Sequence, residues 1–186
     1  MRRRSPHHSL STFRCVGLAV LAALSSCSPP LPINRFAATT PVFDPVAFFT
    51  GHEKSWGVLE NRSGAPAGIV TTDCVGTAEG ADGVHMVQHL VLDGKDTRRD
   101  WHMRRTGPHQ FQATANDMVG AATGEAQGRV FHWRWILATS PGQSWRNVVM
   151  EQWMYLEDNG AMVNRTTISK LGIILAEVTE QFSRAP

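Results

Sequence analysis

Cysteine is scarce in this sequence. Cys15, Cys27 and Cys74 are the three cysteines among 186 residues. We expect Cys15 to be removed with an export signal and Cys27 to be chemically modified, for reasons given below. Cys74 would then have no partner in its own chain, so the mature protein could form no intrachain disulfide even in an oxidising compartment. We interpret Cys74 as an inert core thiol.

The chain also lacks an excess of positive charge once its N-terminus is set aside. The formal net charge is +2, from 18 basic and 16 acidic residues. Residues 1–26 hold four arginines and no acidic residue, so their removal leaves 14 basic residues and a net charge of −2. No nucleic-acid partner is therefore expected. The basic stretch RRDWHMRR at 98–105 is interpreted as a solvated strand face, placed near anionic lipid headgroups.

The apolar run near the N-terminus is too short to cross a membrane. It extends over ten residues, Cys15–Leu24, whereas a membrane-spanning helix needs about 20. Arginines precede this run and small residues follow it. A basic start, a short apolar centre and a small-residue end are typical of a secretory signal. We therefore assign residues 1–26 to a cleaved signal peptide.

The end of this signal, LSSC at 24–27, resembles the lipobox of bacterial lipoproteins. The resemblance implies that Cys27 becomes the first residue, with a diacylglycerol on its sulfur and an acyl chain on its amine. Two or three such chains make a lasting membrane anchor. Because Ser28 follows, and not aspartate, we expect an outer-membrane lipoprotein that faces the periplasm. A plain signal peptide with a chance cysteine is the alternative.

After Cys27 the sequence predicts a tether and then one domain. Residues 27–42 contain four prolines and few residues that could pack, so we expect the lipidated cysteine and an extended tether. Residues 43–186 are expected to form a single domain. It begins with DPVAFFTG, in which an aspartate N-cap, a first-turn proline and a closing glycine predict a helix of one or two turns. Phe48 and Phe49 would turn into the core.

Long helical periodicity is absent from the rest of the chain. The pattern instead has period two: in RVFHWRWIL, Phe131, Trp133 and Trp135 share one face. Turn signals such as Asp93-Gly94 separate the alternating segments. Strands at this spacing favour a sandwich or a barrel. We expect an all-β fold: a single antiparallel up-and-down barrel, lipocalin-like, of about 8–10 strands with a short N-terminal helix.

From Phe48 onward the chain resembles DUF3833, a bacterial family of lipocalin-like lipoproteins of unknown function. The matching pieces, in chain order, are FFTG at 48–51, WGVLENRSG at 56–64, DTRRDWHM at 96–103, ATANDMVGAATGEAQG at 113–128 and WMYLEDNGAMVNRTTISKLG at 153–172. The resemblance implies an anchored β-barrel and brings no activity with it. The chain departs from the family in a shorter, less acidic segment around 83–92.

Metal chemistry is not expected. His85 and His89 lie four residues apart in a predicted strand, which separates them by about 13 Å. One zinc ion needs both nitrogens within about 2.1 Å, so we expect two surface or rim histidines, no metal site and no cofactor.

Asp117 ends an apolar alternating face and is the most informative carboxylate. If it points inward, it must be paired, because an isolated buried charge is very costly. The expected partners are Arg62, Arg165 and Lys170. A structural ion pair and a polar anchor at the base of a ligand pocket are both compatible with this pattern. Glu125, between two glycines, is a possible second carboxylate for acid–base chemistry.

Aromatic residues at alternating positions would supply pocket walls or plain core. The candidate ligand-binding residues are Arg62, Asp117, Trp133, Trp135, Trp153, Tyr155, Arg165 and Lys170.

Three functions remain open at this point. The first is a non-enzymatic, outer-membrane-anchored protein that binds a fatty acid, a lipid or another small hydrophobic molecule in its barrel. The second is a barrel enzyme of isomerase or hydrolase type that uses Asp117 or Glu125. The third is a scaffold for envelope partners. No catalytic residue is assigned, and the protein partners are not predicted.

Overall fold

The fold is seen in a computed structural model that describes residues 32–140 and 142–185. The expected signal peptide and Cys27 lie outside these residues. Among the described residues, none of the helices is both long and apolar enough to cross a bilayer.

Over residues 32–140 and 142–185, ten strands and one short α-helix make up the domain. The helix α1 is Pro45–Phe48, and 3₁₀ turns cover Ile33–Phe36 and Ser144–Arg146. The strands are β1 (Gly51–Asn61), β2 (Pro66–Ala78), β3 (Gly83–Leu92), β4 (Lys95–Arg105), β5 (Gln110–Ala115), β6 (Met118–Gln127), β7 (Val130–Leu137), β8 (Val148–Leu156), β9 (Met162–Lys170) and β10 (Ile173–Arg184).

The strands close into a single antiparallel barrel. Each strand pairs with the next in sequence, and β10 returns to pair with β1, from Glu53 opposite Arg184 to Asn61 opposite Ala176. Closure leaves no unpaired sheet edge. The predicted all-β, up-and-down, lipocalin-like barrel with a short N-terminal helix is therefore confirmed.

Period-two alternation sets which side chains enter the barrel. Phe131, Trp133 and Trp135 of β7 are buried, whereas Arg134 between them is exposed. Two-residue turns join several strands, and Asp93-Gly94 has both residues at positive φ, as a tight hairpin of this twist requires. The apolar faces predicted from alternation in β7 thus form the core.

The helix α1 closes one end of the barrel. Asp44 caps it: its Oδ1 accepts hydrogen bonds from the backbone N–H of Val46 (3.1 Å) and of Ala47 (3.3 Å). Arg105 at the end of β4 donates to the other carboxylate oxygen at 2.8 Å. Phe48 is buried in the hydrophobic core, as expected. We call this end the closed end.

Arg184 links α1 to the seam of the barrel, which is the pair of strands β1 and β10. Its guanidinium donates to the backbone oxygens of Thr50 (2.7 Å) and Ala47 (3.0 Å). It also forms an ion pair with the fully buried carboxylate of Glu53 on the neighbouring strand. Burial raises the pKa of Glu53 above its usual range, and the nearby Arg184 opposes that rise. Helix, first strand and last strand are thus held by one side chain.

Part of the segment expected to be a tether packs on the closed end. The ring of Phe36 meets that of Tyr155 edge-on, with centroids 6.4 Å apart. Thr39 Oγ1 donates to Phe36 O at 2.6 Å and accepts the backbone N–H of Arg129 at 3.0 Å. The backbone N–H of Phe43 donates to Gly128 O at 2.7 Å. Contact with the barrel is therefore already made at Phe36, seven residues before position 43, the expected start of the domain.

Gly76 of β2 allows the backbone at the end of α1 to pack closely against the barrel. A Cβ at this position would lie 1.7 Å from the backbone oxygen of Phe49. We predict that Gly76→Ala lowers the free energy of unfolding by about 1–3 kcal/mol, because backbone atoms must move apart. Chemical denaturation measures this. The neighbouring exposed change Thr77→Ala is the control, and equal stability of the two variants would contradict the tight seating of α1.

Candidate functional site

A cavity occupies the inside of the barrel. Its volume is about 390 Å³, within the range of ligand pockets. Phe49, next to α1, lies at its base, and it extends to Leu92, Lys95 and Leu137 at strand ends on the opposite side of the barrel. We call that opposite side the mouth. The lumen is not filled with side chains, so room for a ligand exists.

Three tryptophans form one wall of the cavity. The ring of Trp101 stacks on that of Trp133 with centroids 5.1 Å apart, and meets that of Trp135 edge-on at 5.2 Å. Apolar side chains make up much of the remaining wall. The principal ones are Leu59, Val70, Met86, Leu90, Met150, Met154, Ile168, Val178 and Phe182.

Trp101 was not among the sequence candidates. It lies in the basic stretch 98–105, which has two faces: Arg99, Trp101 and Met103 are buried, and His102 and Arg104 are exposed. The interpretation of that stretch as a solvated face is therefore correct for one side of the strand only. The alternation of Trp101 and Met103 with His102 and Arg104 is the sequence pattern that indicates an inward-facing Trp101.

Glutamines satisfy the indole N–H groups of these tryptophans. Gln152 Oε1 accepts from Trp133 Nε1 at 2.7 Å and from Trp135 Nε1 at 2.8 Å. Gln88 Oε1 accepts from Trp101 Nε1 at 2.9 Å. Because buried indole N–H groups need a partner, these bonds fix the orientation of all three rings. No sequence signal pointed to the two glutamines.

Asp117 pairs with Arg99, and the expected partners Arg62, Arg165 and Lys170 were wrong. Arg99 Nε donates to Asp117 Oδ2 at 2.6 Å, and the guanidinium lies 5.3 Å from the ring centre of Trp135. The register explains this pairing. Trp101 is opposite Ala115 in the β4–β5 ladder, so two residues further along Arg99 comes beside Asp117.

The three basic candidates lie outside the cavity. Arg165 points outward and donates to Glu177 at 2.6 Å. Lys170 is at the end of β9 near the mouth, where its ammonium binds the backbone oxygen of Trp145. Arg62 lies in the β1–β2 turn. None of them lines the lumen.

Two aromatic candidates also face outward. In β8, Met150, Gln152 and Met154 line the cavity, so the alternate residues Trp153 and Tyr155 lie on the other side. The Trp153 ring stacks on that of His132 with centroids 4.1 Å apart. Burial raises the pKa of Tyr155. Because β8 is apolar at both sets of positions, its sequence alone did not show which set faces inward.

Asp117 and Glu125 do not form a carboxylate pair. Asp117 directly precedes β6, at the mouth. Glu125 lies near the other end of β6, where it accepts a hydrogen bond from Gln127 Nε2 at 2.9 Å. Eight residues of strand separate the two by roughly 26 Å. The histidines are likewise separate: His85 stacks on His102, and His89 Nδ1 lies 3.2 Å from Asp96.

A polar group lies deep in the cavity wall. Glu180 Oε1 accepts hydrogen bonds from Ser55 Oγ at 2.7 Å and Thr72 Oγ1 at 2.9 Å. On the next strand, Asn164 Nδ2 donates to Thr166 Oγ1 at 3.2 Å. We call Glu180, Asn164 and Thr166 the deep polar group. All three line the cavity, and sequence analysis did not identify any of them.

Cys74 is fully buried and also lines the cavity. Burial, with the nearby carboxylates of Glu53, Glu180 and Asp73, raises the pKa of its thiol far above the usual range. The thiolate is the reactive form of cysteine, so the group is inert in the folded protein, as the sequence suggested.

We predict that the Cys74 thiol of the folded domain does not react with a water-soluble disulfide reagent at pH 8. Unfolding in denaturant should release it, because the thiol then titrates near its ordinary pKa of about 8.5. Absorbance of the released product measures both rates. Rapid reaction without denaturant would show that Cys74 is accessible and contradict its burial.

The closed ring of strands around an apolar, tryptophan-walled cavity defines a lipocalin-like barrel. The chain belongs to the family DUF3833, which is described as "Protein of unknown function (DUF3833)". The family model matches residues 21–184. The predicted family is thereby confirmed. No curated protein matches the sequence.

Two solved structures share this fold at low sequence identity. The S-type phycobiliprotein lyase CPES from Guillardia theta is 11% identical, with a TM-score of 0.56 over 75% of this chain and 92% of that chain. Rv2717c from M. tuberculosis is 13% identical, with a TM-score of 0.56 over 80% of this chain and 99% of that one. At such identities the similarity concerns the fold alone.

Proposed function

We propose that this protein binds a small hydrophobic or lipid molecule in its barrel and is held at the outer membrane by a lipid on Cys27. The observation that carries the first part is the cavity of about 390 Å³ between α1 and the mouth. Its wall is apolar and aromatic with a few placed polar groups, as in binding sites for small molecules.

The two ends of the cavity differ in a way that suits an amphipathic ligand. Phe49 and Phe182 line it near the closed end, whereas Lys95 and Arg99 line it towards the mouth. The guanidinium of Arg99 is shared with Asp117, and the ammonium of Lys95 is on the exposed end of its strand. An anionic headgroup at the mouth with an apolar body inside fits this arrangement.

Binding is favoured over catalysis. The enzyme alternative places Asp117 or Glu125 beside the substrate, but neither carboxylate lines the cavity, and the two lie far apart along the barrel. The occurrence of the same fold in a phycobiliprotein lyase supports a barrel that holds a small molecule.

The anchoring part of the proposal rests on the LSSC sequence at 24–27 and the basic, short apolar segment before it. Residues Ile33–Phe36 come soon after Cys27 in the chain, and they pack at the closed end. The mouth is therefore at the other end of the barrel from the place where the anchored segment joins it.

A fluorescence titration tests the binding proposal. The strands, α1 and the hydrophobic core all lie within the compact unit Leu31–Pro186, so a chain that begins at Leu31 contains the whole barrel. We predict a saturable change in tryptophan emission when decanoic acid is added, because Trp101, Trp133 and Trp135 line the cavity.

A pair of β10 variants makes the test specific. Val178→Phe fills the cavity and should weaken binding about tenfold or more, which corresponds to about 1.4 kcal/mol. Thr179→Phe, its outward-facing neighbour on the same strand, should bind normally. No saturable response in the unaltered chain, or equal affinity of the two variants, would contradict binding in the lumen.

A further inference from the structure

We infer that the ligand carries a hydrogen-bond donor, a hydroxyl or an amine, at the end that enters the barrel first, and that Glu180 and Asn164 receive it. This inference rests on the proposed function and narrows the class of ligand. It is carried by two side chains in the cavity wall: Asn164, whose buried amide oxygen has no partner in the described protein, and Glu180, a buried carboxyl that makes no salt bridge there.

Glu180 is a buried carboxyl without a cationic partner. It is 5% exposed, and in residues 32–140 and 142–185 it makes no salt bridge. Its Oε1 accepts from Ser55 and Thr72, whereas Oε2 receives no hydrogen bond from a described residue. Glu53 differs in having a cation beside it, because its Oε1 pairs with Arg184, although its Oε2 is also buried without a partner in the described structure. A carboxyl that lines a cavity in this way is placed to accept from a ligand.

Asn164 supplies the second acceptor. It is 1% exposed, its Nδ2 donates to Thr166 Oγ1, and its Oδ1 is buried without a partner in the described structure. Buried polar side-chain atoms are nearly always hydrogen-bonded, and each exception calls for an explanation. Asn164 and Glu180 are opposite each other in the β9–β10 ladder, so one small polar group can reach both side chains.

The deep polar group is linked to the tryptophan wall. Thr166 Oγ1 also accepts from Gln152 Nε2 at 3.1 Å, and Gln152 Oε1 accepts both indole N–H groups of Trp133 and Trp135. A donor bound at Asn164 therefore touches a hydrogen-bond chain that ends on two indoles. Tryptophan emission is thus a suitable readout for occupancy at this position.

A pair of probes that differ by one donor tests the inference. 1-Decanol has a hydroxyl that can donate, and 1-methoxydecane has an ether oxygen that cannot. We expect 1-decanol to bind at least about tenfold more tightly, because a site built around acceptors discriminates against a ligand without a donor. Equal affinities would overturn the inference while leaving the proposed function intact. If neither probe nor decanoic acid binds, both proposals fail.

Substitutions at Glu180 and Asn164 test whether these side chains cause the preference for 1-decanol over 1-methoxydecane. Glu180→Leu and Asn164→Leu should each reduce the preference for 1-decanol to less than about threefold, with the affinity for 1-methoxydecane retained or increased. Gln181→Leu, on the exposed face of the same strand, should keep the full preference. A preference unchanged in both cavity variants would contradict the assigned acceptors. Two positions are used so that the failure of one variant to fold still leaves the other as the test.

A separate observation concerns the outer surface at the mouth. Large apolar side chains are exposed there: Trp145 is 72% exposed and Leu171 is 93% exposed. Ile173, Ile174 and Leu175 of the adjoining strand are also exposed. We call Trp145 and residues 171–175 the apolar rim. We propose that the apolar rim docks on a lipid bilayer that contains anionic headgroups, a different bilayer from the one that would hold Cys27 near the closed end.

Basic side chains accompany the rim. Lys170 Nζ lies 5.9 Å and Arg146 Cζ 5.6 Å from the ring centre of Trp145. Arg62 lines a shallow groove with Ile173 and Ile174. Tryptophan and aliphatic residues beside lysine and arginine are the combination that favours the interface of an anionic membrane.

Acidic side chains near the rim are fewer or already paired. Glu177 lines the same groove, but Arg165 donates to it at 2.6 Å. Glu60 is opposite Glu177 in the β1–β10 ladder. Glu151 lies in the same row of the sheet, opposite Thr167. Against these three carboxylates stand Arg62, Arg146, Lys170 and Arg165, which leaves an excess of one positive charge around the rim. Because the cavity also ends at the mouth, a lipid could pass between bilayer and lumen with little exposure to water.

Leu171 has a backbone conformation that its residue type rarely adopts. Its φ is +50° and that of Gly172 is +78°. The equivalent two-residue turn between β3 and β4 uses Asp93 and Gly94, the residue types that tolerate this conformation. A fully exposed leucine there is unfavourable for folding, and a contact made outside the barrel would account for its presence.

Vesicle co-sedimentation of the chain that begins at Leu31 tests the docking proposal. We expect binding to phosphatidylcholine vesicles containing a quarter phosphatidylglycerol, and weaker binding to phosphatidylcholine alone. Leu171→Asn should reduce the bound fraction at least about threefold while the melting temperature stays the same or rises, because asparagine suits the turn. Val75→Ser, which removes an exposed apolar side chain on the flank of β2, should bind as the unaltered chain does.

Two results would overturn the docking proposal. One is the absence of sedimentation with either kind of vesicle. The other is binding that Leu171→Asn and Trp145→Ser both leave unchanged. If the unaltered chain instead forms a dimer that Leu171→Asn dissociates, and no vesicle binds, the rim is an interface between copies of this chain.

Discussion

The pairing of β1 with β10 is the constraint on which the rest of the structure depends. It converts a row of ten consecutive hairpin-linked strands into a ring, and only a ring encloses a lumen. Arg184 strengthens this seam at the closed end, where it binds Glu53 of β1 and two backbone oxygens around α1. Further along the same seam, Ser55 of β1 donates to Glu180 of β10. The strand pair that closes the barrel therefore also places the deep polar group.

The cavity combines surfaces that a solid core would not contain. Trp101, Trp133 and Trp135 present their rings to empty space while their N–H groups are bound by glutamines. A barrel selected for stability alone would fill this volume, because unfilled space forfeits packing contacts. The same argument applies to Asn164, whose buried oxygen lacks a partner in the described structure. The unfilled cavity and the unpartnered oxygen of Asn164 together support the proposal that a ligand binds in the barrel.

Alternation and turn signals were sufficient to predict the fold and part of the wall. Trp133 and Trp135 were identified because polar residues alternate with them, which fixes the inward face of β7. In β8 both faces are apolar, so the sequence could not show that Gln152 faces inward and Trp153 outward. Asp117 was recognised as needing a partner, but Arg99 could be assigned only from the β4–β5 register, which is a property of the folded sheet. Glu180 and Asn164 are ordinary polar residues in their strands, and their meeting across β9 and β10 depends on the ladder.

The most direct test of the central claim is native mass spectrometry of the full-length protein purified in mild detergent from membranes of its own cells. If the barrel holds a small hydrophobic molecule, the spectrum contains a second protein mass, larger by one small ligand, and Val178→Phe loses it while Thr179→Phe keeps it. A single mass for all three proteins, with lipid extracts of the purified material free of any retained compound, would contradict the account.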